Sequence, residues 1–347
     1  MKSQLAALVL MLTTTFLFAQ KTVVIPFTTF YGSADAYYKY DFSGIDNSLT
    51  SFTYSHDSLG MASIEASHKM DKGSIFVDLG FGNRAAQFTY NDGVKTFIIK
   101  QLNFTYKFSD KFKVTLGSFA THVGYELVDA VDNKNYSMSY AFTYGPFFNT
   151  GIKVQYTSNK FSFMAGVSNP TDLKSTIDAG STQKTFIGQL AFLGDTGSAY
   201  FNVTSGSSNP SSDENKTQFD FVGKKKLSKA FSLGFNGTYA LTTNDLDSAL
   251  DGEWFSLVGY VNFIVKESSS VAYRLEYLDA KQATDRLGLL TGTSVIGNTL
   301  SLNYKVGNLT IIPEFRFDIA SEDIFTDSNA APKGLTAYAL LATTYSF

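Results

Sequence analysis

Apolar and polar residues alternate along most of this chain with a period of two, which places neighbouring side chains on opposite faces of β-strands. The C-terminal segment 335–347 shows the pattern clearly: alternate positions from Leu335 to Phe347 are mostly apolar, and those between them are mostly small or polar. A strand that ends the chain on an aromatic residue is typical of bacterial outer-membrane β-barrels. The pattern therefore predicts an all-β, transmembrane, antiparallel up-and-down barrel.

About sixteen such segments follow one another, and their connections alternate in length. The short connections have the residues of tight hairpin turns and lie at 71–73, 109–110, 158–160, 194–196, 225–229, 266–268 and 307–308. The long connections are polar stretches at 42–59, 85–95, 122–146, 169–183, 206–215, 242–252, 280–293 and 321–333. Seven short turns and eight long loops require sixteen strands. In outer-membrane barrels the short turns are periplasmic and the long loops extracellular.

The composition agrees with this architecture. Aromatic residues make up 15% of the chain, and the mean hydropathy of −0.04 fits strands with one face in lipid and one in water. Aromatic rings such as Tyr106, Phe108 and Phe161 cluster beside the short turns, where they would form an interfacial girdle. Lys100 and His68 do not fit this pattern well, because the alternation along their strands puts both on the lipid face. Both lie near strand ends, where a long side chain can reach the headgroups.

The N-terminal segment has the features of a secretory signal peptide. Lys2 precedes an apolar run from Leu5 to Phe18. The small residue Ala19 follows, and then Gln20. A membrane anchor is the alternative, but the run is short and no basic cluster follows it. We therefore expect a signal peptide at 1–20 and an outer-membrane barrel at 21–347.

Several classes of function are excluded or disfavoured. The chain has no Cys, which removes thiolate metal sites and Cys nucleophiles, and its net charge of −3 gives no indication of nucleic-acid binding. It contains no recognisable catalytic motif, and we expect no enzyme activity, cofactor or metal. Ser118 and His122, close to acidic residues, leave a hydrolase barrel as a minor alternative.

The third long loop is the candidate constriction of a pore. It contains Glu126, Asp129 and Asp132. Acids that face a basic wall across a narrow aqueous gap would sort solutes by charge and size. Two alternatives stay open: the loop is a solvated outer loop, or its three acids hold a hard cation such as Ca²⁺ through oxygen ligands.

The opposing wall is predicted on the inward faces of three strands. Residues spaced by two share one face, and the candidates are Lys153, Arg274, Glu276, Glu314, Arg316 and Asp318. Other predicted lumen residues are Asp35, Lys39, Glu65 and Asp78. The alternative is a structural ladder of salt bridges that stiffens the barrel.

Four segments resemble the OmpL-like β-barrel porin family: FYGSADAYYKYDFSG at 30–44, GSFATHVGYELVDA at 117–130, NYSMSYAFTYGPFFNTGIKVQY at 135–156 and YRLEYLDA at 273–280. The second and third are the more specific, because their Gly, acid, Asn and Pro residues keep a fixed order. The resemblance implies an outer-membrane barrel that passes small solutes, and it implies no catalytic residue. Its most specific part coincides with the third loop and its flanking strands.

The sequence thus predicts a porin for passive diffusion of small hydrophilic solutes, because a barrel of sixteen strands leaves an aqueous lumen. A barrel for adhesion through its loops is the alternative from another class. Expected partners are outer-membrane lipid, small solutes, and the barrel-assembly machinery through the strand that ends at Phe347. Monomer and homo-trimer both stay open, because an apolar outer face suits lipid and subunit contacts equally.

Overall fold

The computed structural model describes residues 27–54, 57–91, 98–175, 183–207, 213–283 and 285–347. The predicted signal peptide at 1–20 lies outside the described residues. Within these ranges, none of the helices is long and apolar enough to cross a bilayer.

Sixteen antiparallel strands close into a barrel, as predicted. They are β1 (Thr28–Asp41), β2 (Asp57–Lys69), β3 (Gly73–Phe81), β4 (Ile99–Lys107), β5 (Phe112–Ala120), β6 (Phe148–Thr157), β7 (Phe161–Ser168), β8 (Thr185–Gly194), β9 (Gly197–Ser207), β10 (Glu214–Lys226), β11 (Phe231–Asn244), β12 (Gly252–Lys266), β13 (Ser269–Gln282), β14 (Ser294–Val306), β15 (Leu309–Ala320) and β18 (Leu335–Ser346). The short strands β16 (Phe325–Thr326) and β17 (Pro332–Lys333) pair in the last long loop.

The first and last strands close the barrel. β1 pairs with β18 from Ser33–Ser346 to Asp41–Tyr338, and the Gly32 and Phe347 backbones exchange hydrogen bonds of 3.0 and 2.9 Å. Closure gives every strand two neighbours, so the barrel has no open edge with unpaired backbone groups. This is the condition that a sheet must meet to cross lipid.

The two faces of the strands differ as the alternation predicts. On β10 and β11 the outward set includes Phe219 and Phe235, which are exposed on the barrel surface. The inward set includes Asp220, Asn236 and Thr238, which are buried and hydrogen-bonded to one another. Outward aromatic residues are also exposed beside the short turns, as at Tyr106 and Phe108.

The seven short turns lie at one end of the barrel, here called the turn end, and the eight long connections lie at the other, the loop end. Three long connections matter for the site: L2 (82–98), L3 (121–147) and L4 (169–184). L2 contains the short helix α1 (Asn83–Phe88), and L3 contains a 3₁₀ turn (Ala130–Asp132) and the single-turn helix α2 (Tyr140–Thr143). Two further 3₁₀ segments are Ser248–Leu250 and Asp285–Leu290.

The predicted alternation of outward and inward positions is wrong at Lys100. This side chain is fully buried inside the barrel and does not lie on the lipid face. The β3–β4 register shifts here: Asp78 pairs with Gln101, but Leu79 pairs with Ile99. Lys100 is therefore the extra residue of a β-bulge, which turns it to the same side as Gln101. His68 does follow the alternation. It shares the outward face with Thr28, to which it is hydrogen-bonded at 2.7 Å.

Candidate functional site

L3 lies inside the barrel. Its central residues, including Tyr136, Met138 and Tyr140, have no exposed surface. They contact inward side chains of several strands, so the long loop is held against the inner wall over much of its length. The solvated outer loop considered from the sequence is therefore not what the structure shows.

Glu314 of β15 holds one part of L3 through its backbone. The carboxylate accepts hydrogen bonds from the Tyr136 and Ser137 amides at 2.7 and 3.1 Å. It also accepts one from the hydroxyl of Ser301 on β14 at 2.7 Å. A buried carboxylate needs such donors, because removing its charge from water is costly without them.

Arg274 of β13 joins L3 to the wall at a second point. Its guanidinium lies 2.8 Å from Glu126 of L3 and 3.2 Å from Glu276 on its own strand. It also donates to the Met138 carbonyl at 3.1 Å. Glu276 in turn accepts the Tyr140 amide at 2.7 Å. Both charges of the loop contact are thereby paired and hydrogen-bonded.

Arg316 of β15 completes this group. It lies 2.9 Å from Asp318 and 3.2 Å from Glu276, and it donates to the Met138 carbonyl at 2.7 Å. Asp318 accepts the hydroxyl of Tyr140 at 2.8 Å. We call these side chains the anchor network; its members are Glu126, Arg274, Glu276, Glu314, Arg316 and Asp318.

A second set of strands, β1, β2 and β4, holds L3 as well. Asp129 lies 2.6 Å from the Lys100 ammonium and accepts hydrogen bonds from Ser63 and Ser33 at 2.6 and 3.3 Å. The Tyr136 hydroxyl donates to Asp35 of β1 at 2.6 Å. The loop is thus attached to β1, β2 and β4 as well as to β13 and β15; in the barrel, β18 alone separates β1 from β15.

The first limb of L3 crosses in front of β9 to β12. The Gly124 amide donates to Asp220 at 3.0 Å, and the Tyr125 amide to Asn236 at 3.3 Å. The Tyr125 ring stacks on Tyr260 with centroids 4.0 Å apart. Gly234 makes room for this ring, because a Cβ there would lie 2.4 Å from it.

The sequence-predicted residues divide into separate groups. Arg274, Glu276, Glu314, Arg316 and Asp318 do face inward, but L3 covers them, and they bind the loop. Lys153 of β6 is half-buried, and its ammonium lies 3.8 Å from the centroid of Phe119. Their role in lining a pore stays a prediction.

The three acids of L3 are not brought together. Glu126 binds Arg274, Asp129 binds Lys100, and Asp132 is exposed. A different carboxylate trio is close enough to share one ion: oxygens of Glu65, Asp78 and Asp129 lie within 4.8 Å of one another. Lys100 provides a cation there, 3.0 Å from Asp78 and 2.6 Å from Asp129.

The hydrolase alternative gains no support. His122 Nε2 is hydrogen-bonded to the Val203 carbonyl at 3.1 Å. Burial lowers the pKa of His122 to about 4, so the ring is neutral near pH 7. The Ser118 hydroxyl has no hydrogen-bond partner in the described part of the chain, so it is not bonded to this base. Nucleophilic catalysis needs that contact.

Two important residues were missed from the sequence. Lys100 was assigned to the lipid face, although the adjacent polar pair Lys100-Gln101 breaks the alternation and is the signal of a bulge. Arg84, in α1 of L2, lies fully buried 3.5 Å from Asp35. No period applies to a loop residue, so the sequence held no comparable signal for it.

Comparison with known families decides the relationship. The family model described as "Putative beta-barrel porin-2, OmpL-like" matches residues 28–347. The chain belongs to this OmpL-like porin family. The family match covers every strand of the barrel together with L3 and the anchor network. No curated protein sequence matches the chain.

Solved structures show the same fold. The anion-selective porin from Comamonas acidovorans has a TM-score of 0.61 at 10% identity, covering 92% of this chain and 99% of that one. The trimer form of OmpT, an outer membrane protein of Vibrio cholerae, has 0.59 at 12%, covering 92% and 99%. The outer membrane channel DcaP of Acinetobacter baumannii has 0.58 at 12%, covering 92% and 97%. This OmpL-like chain is therefore a porin-like barrel.

Proposed function

We propose that this OmpL-like protein is an outer-membrane porin through which small hydrophilic solutes diffuse passively. One observation supports this most directly: a closed barrel of sixteen strands contains a loop that is fixed to the inner wall at several strands, namely β1, β2, β4, β13 and β15. A barrel of this size leaves an aqueous lumen. A loop fixed across the lumen reduces its free cross-section without the need for a moving part.

The proposed mechanism needs no cofactor and no chemical step. Solutes enter at the loop end, pass the space that L3 leaves free and exit at the turn end along their concentration gradient. Because L3 is held by buried ion pairs and backbone hydrogen bonds, the size limit is set by a rigid loop. The wall charges Arg274, Glu276 and Arg316 act in this scheme by holding the loop.

The placement in the cell follows from the same proposal. Segment 1–20 directs export and is removed, and the strand that ends at Phe347 is recognised by the barrel-assembly machinery. The turn end then faces the periplasm and the loop end the outside. A trimer form is described for OmpT of Vibrio cholerae, and we propose a homo-trimer as the assembly to test here.

Planar-bilayer recording tests the function. The purified, detergent-folded protein should give defined single-channel steps, and uncharged sugars of increasing size should cease to reduce the conductance at a sharp size limit. The same protein unfolded by heat is the control. A folded barrel that inserts but conducts nothing would overturn the proposal and favour a surface-interaction barrel.

A further inference from the structure

The half of the lumen nearest the turn end, here called the turn half, contains a group of lysines that have no acidic partner among the described residues. Lys107 of β4, Lys113 of β5, Lys153 of β6, and Lys224 and Lys226 of β10 all lie on the inward face and keep exposed surface. We call these five residues the lysine wall. In the described part of the chain, none of the five is in a salt bridge.

Most acidic side chains that face the lumen already have partners of their own. Asp78, Asp129 and the acids of the anchor network are buried and bound to cations or hydrogen-bond donors. Asp220 is buried too and accepts from Asn202 at 2.7 Å. The acids in the described turn half that keep exposed surface in the lumen are Glu65 and Asp132. The accessible charge in this half is therefore positive.

The register shows that these positive charges are close together. Lys107 and Lys113 are directly opposite in the β4–β5 pair. Lys113 pairs with Gln155, two residues from Lys153 on the same face, so Lys113 and Lys153 are diagonal neighbours. Like charges directly opposite one another destabilise a sheet. Barrel stability therefore does not account for this arrangement.

Two of the lysines lie against aromatic rings, and no acid neutralises their charge in the described part of the chain. The Lys153 ammonium lies 3.8 Å from the ring centroid of Phe119, and the Lys224 ammonium lies 4.6 Å from that of Tyr125 in L3. An aromatic face attracts a cation without cancelling its charge. The N–H donors that point away from the ring stay available to a passing anion.

We propose that the lysine wall makes this channel selective for small anions, such as carboxylate- or phosphate-bearing solutes. The inference rests on the proposed porin function and adds the sign of the solute charge. A one-sign charge cluster in a water-filled passage with low-dielectric walls concentrates counter-ions and repels co-ions. The buried anchor network, in which both signs are paired, adds no comparable field.

The test is the reversal potential of single channels in a KCl gradient. The parent protein should conduct Cl⁻ in preference to K⁺. The triple variant Lys113→Gln, Lys153→Gln, Lys224→Gln should lower the Cl⁻/K⁺ permeability ratio by roughly threefold or more. The matched control is Lys160→Gln, Lys225→Gln, Lys229→Gln, which removes the same charge from turn and outward positions. It should leave the ratio unchanged.

The outcomes separate the two proposals. Cation preference in the parent overturns anion selectivity, and an equal permeability ratio in the triple lysine variant and the parent overturns the role of the lysine wall. Either result leaves the porin function standing. A parent that conducts nothing overturns both. Liposome swelling with a sugar acid and an amino sugar of equal size is a second readout, in which the sugar acid should enter faster. A change of gel mobility on heating in detergent verifies that each variant was folded.

Discussion

Arg274 and Glu126 are 148 residues apart in the chain, and their side chains meet at 2.8 Å where water is excluded. One belongs to the barrel wall and the other to the loop inside it. The position of L3 therefore depends on a contact in which Glu126 would be left buried without its cation if Arg274 were removed.

Replacement of Arg274 by Met should release L3. The variant leaves Glu126 buried without its cation and leaves Glu276 with Arg316 alone, and we expect a loss of about 3–5 kcal/mol in the free energy of unfolding. A displaced loop should also admit larger polyethylene glycols into the channel. Thermal unfolding in detergent and single-channel polymer exclusion measure the two effects.

The control for Arg274→Met is Lys333→Met. Lys333 forms an exposed ion pair with Asp327 at 3.3 Å. Such pairs contribute at most about 1 kcal/mol, so stability and the size limit should be nearly those of the parent. If Arg274→Met were as stable as the parent protein, the anchor network would not be what holds the loop.

Gly234→Val should displace the first limb of L3 by steric conflict. Its Cβ would lie 2.4 Å from the Tyr125 ring, which stacks on Tyr260. We expect a stability loss of about 1–3 kcal/mol from overpacking, a changed near-ultraviolet circular dichroism spectrum and a changed unit conductance. Gly259→Val is the matched control, because its Cβ would meet nothing closer than a carbonyl at 4.0 Å. Equal effects of both variants would refute the role of Gly234 as the place where Tyr125 packs.

Lys100→Met should leave three neighbouring carboxylates without their cation. Glu65, Asp78 and Asp129 would then repel one another, and we expect a stability loss of about 3–5 kcal/mol. Ca²⁺ at millimolar concentration should restore part of this loss, because carboxylate oxygens are its preferred ligands. Calorimetry with and without Ca²⁺ measures the effect. If Ca²⁺ stabilises the parent or the control Lys113→Met equally, the ion does not replace the Lys100 ammonium.

Asp172 of L4 should make stability depend on pH. Its buried carboxylate accepts hydrogen bonds from the Phe147 and Phe148 amides at 2.6 and 3.0 Å, and from the Tyr90 hydroxyl at 3.1 Å. Burial is the larger effect and raises the pKa of Asp172 to about 6. The folded protein therefore binds the proton of the Asp172 carboxyl more tightly than the unfolded chain does, because the pKa of an unfolded Asp is about 3.9.

The stability that proton binding at Asp172 contributes is complete below about pH 4 and is lost as the pH rises through about 6. Asp172→Asn keeps an acceptor, and Asn tolerates the positive φ of 63° at this position. At pH 8 the variant should be more stable than the parent by up to about 3 kcal/mol, and at pH 4 the two should agree. Melting curves from pH 4 to 8 measure the difference. Asp327→Asn, at a partly exposed carboxylate, should show no such gain at pH 8. A difference between Asp172→Asn and the parent that does not change with pH would refute the titration.

The strand pattern made the barrel predictable, because a period of two is a local property of the chain. Phe219 and Asp220 differ in hydropathy, and that difference alone orients their strand between lipid and lumen. The turn residues are local signals too, which is why the seven short turns and the number of strands were predictable. Lys100 was assigned to the wrong face because a bulge changes parity, and a bulge depends on the pairing of two strands.

The sequence by itself determined the barrel, its two chemically different ends and the inward direction of the charges on β13 and β15, since strand periodicity and turn chemistry are set by neighbouring residues. Only the tertiary structure decided that L3 enters the lumen, that Arg274 holds Glu126, and that Lys113 and Lys153 have no acidic partner among the described residues. Those facts depend on which side chains meet across the barrel. Contacts between residues so far apart in the chain follow from barrel closure, and no local pattern encodes them.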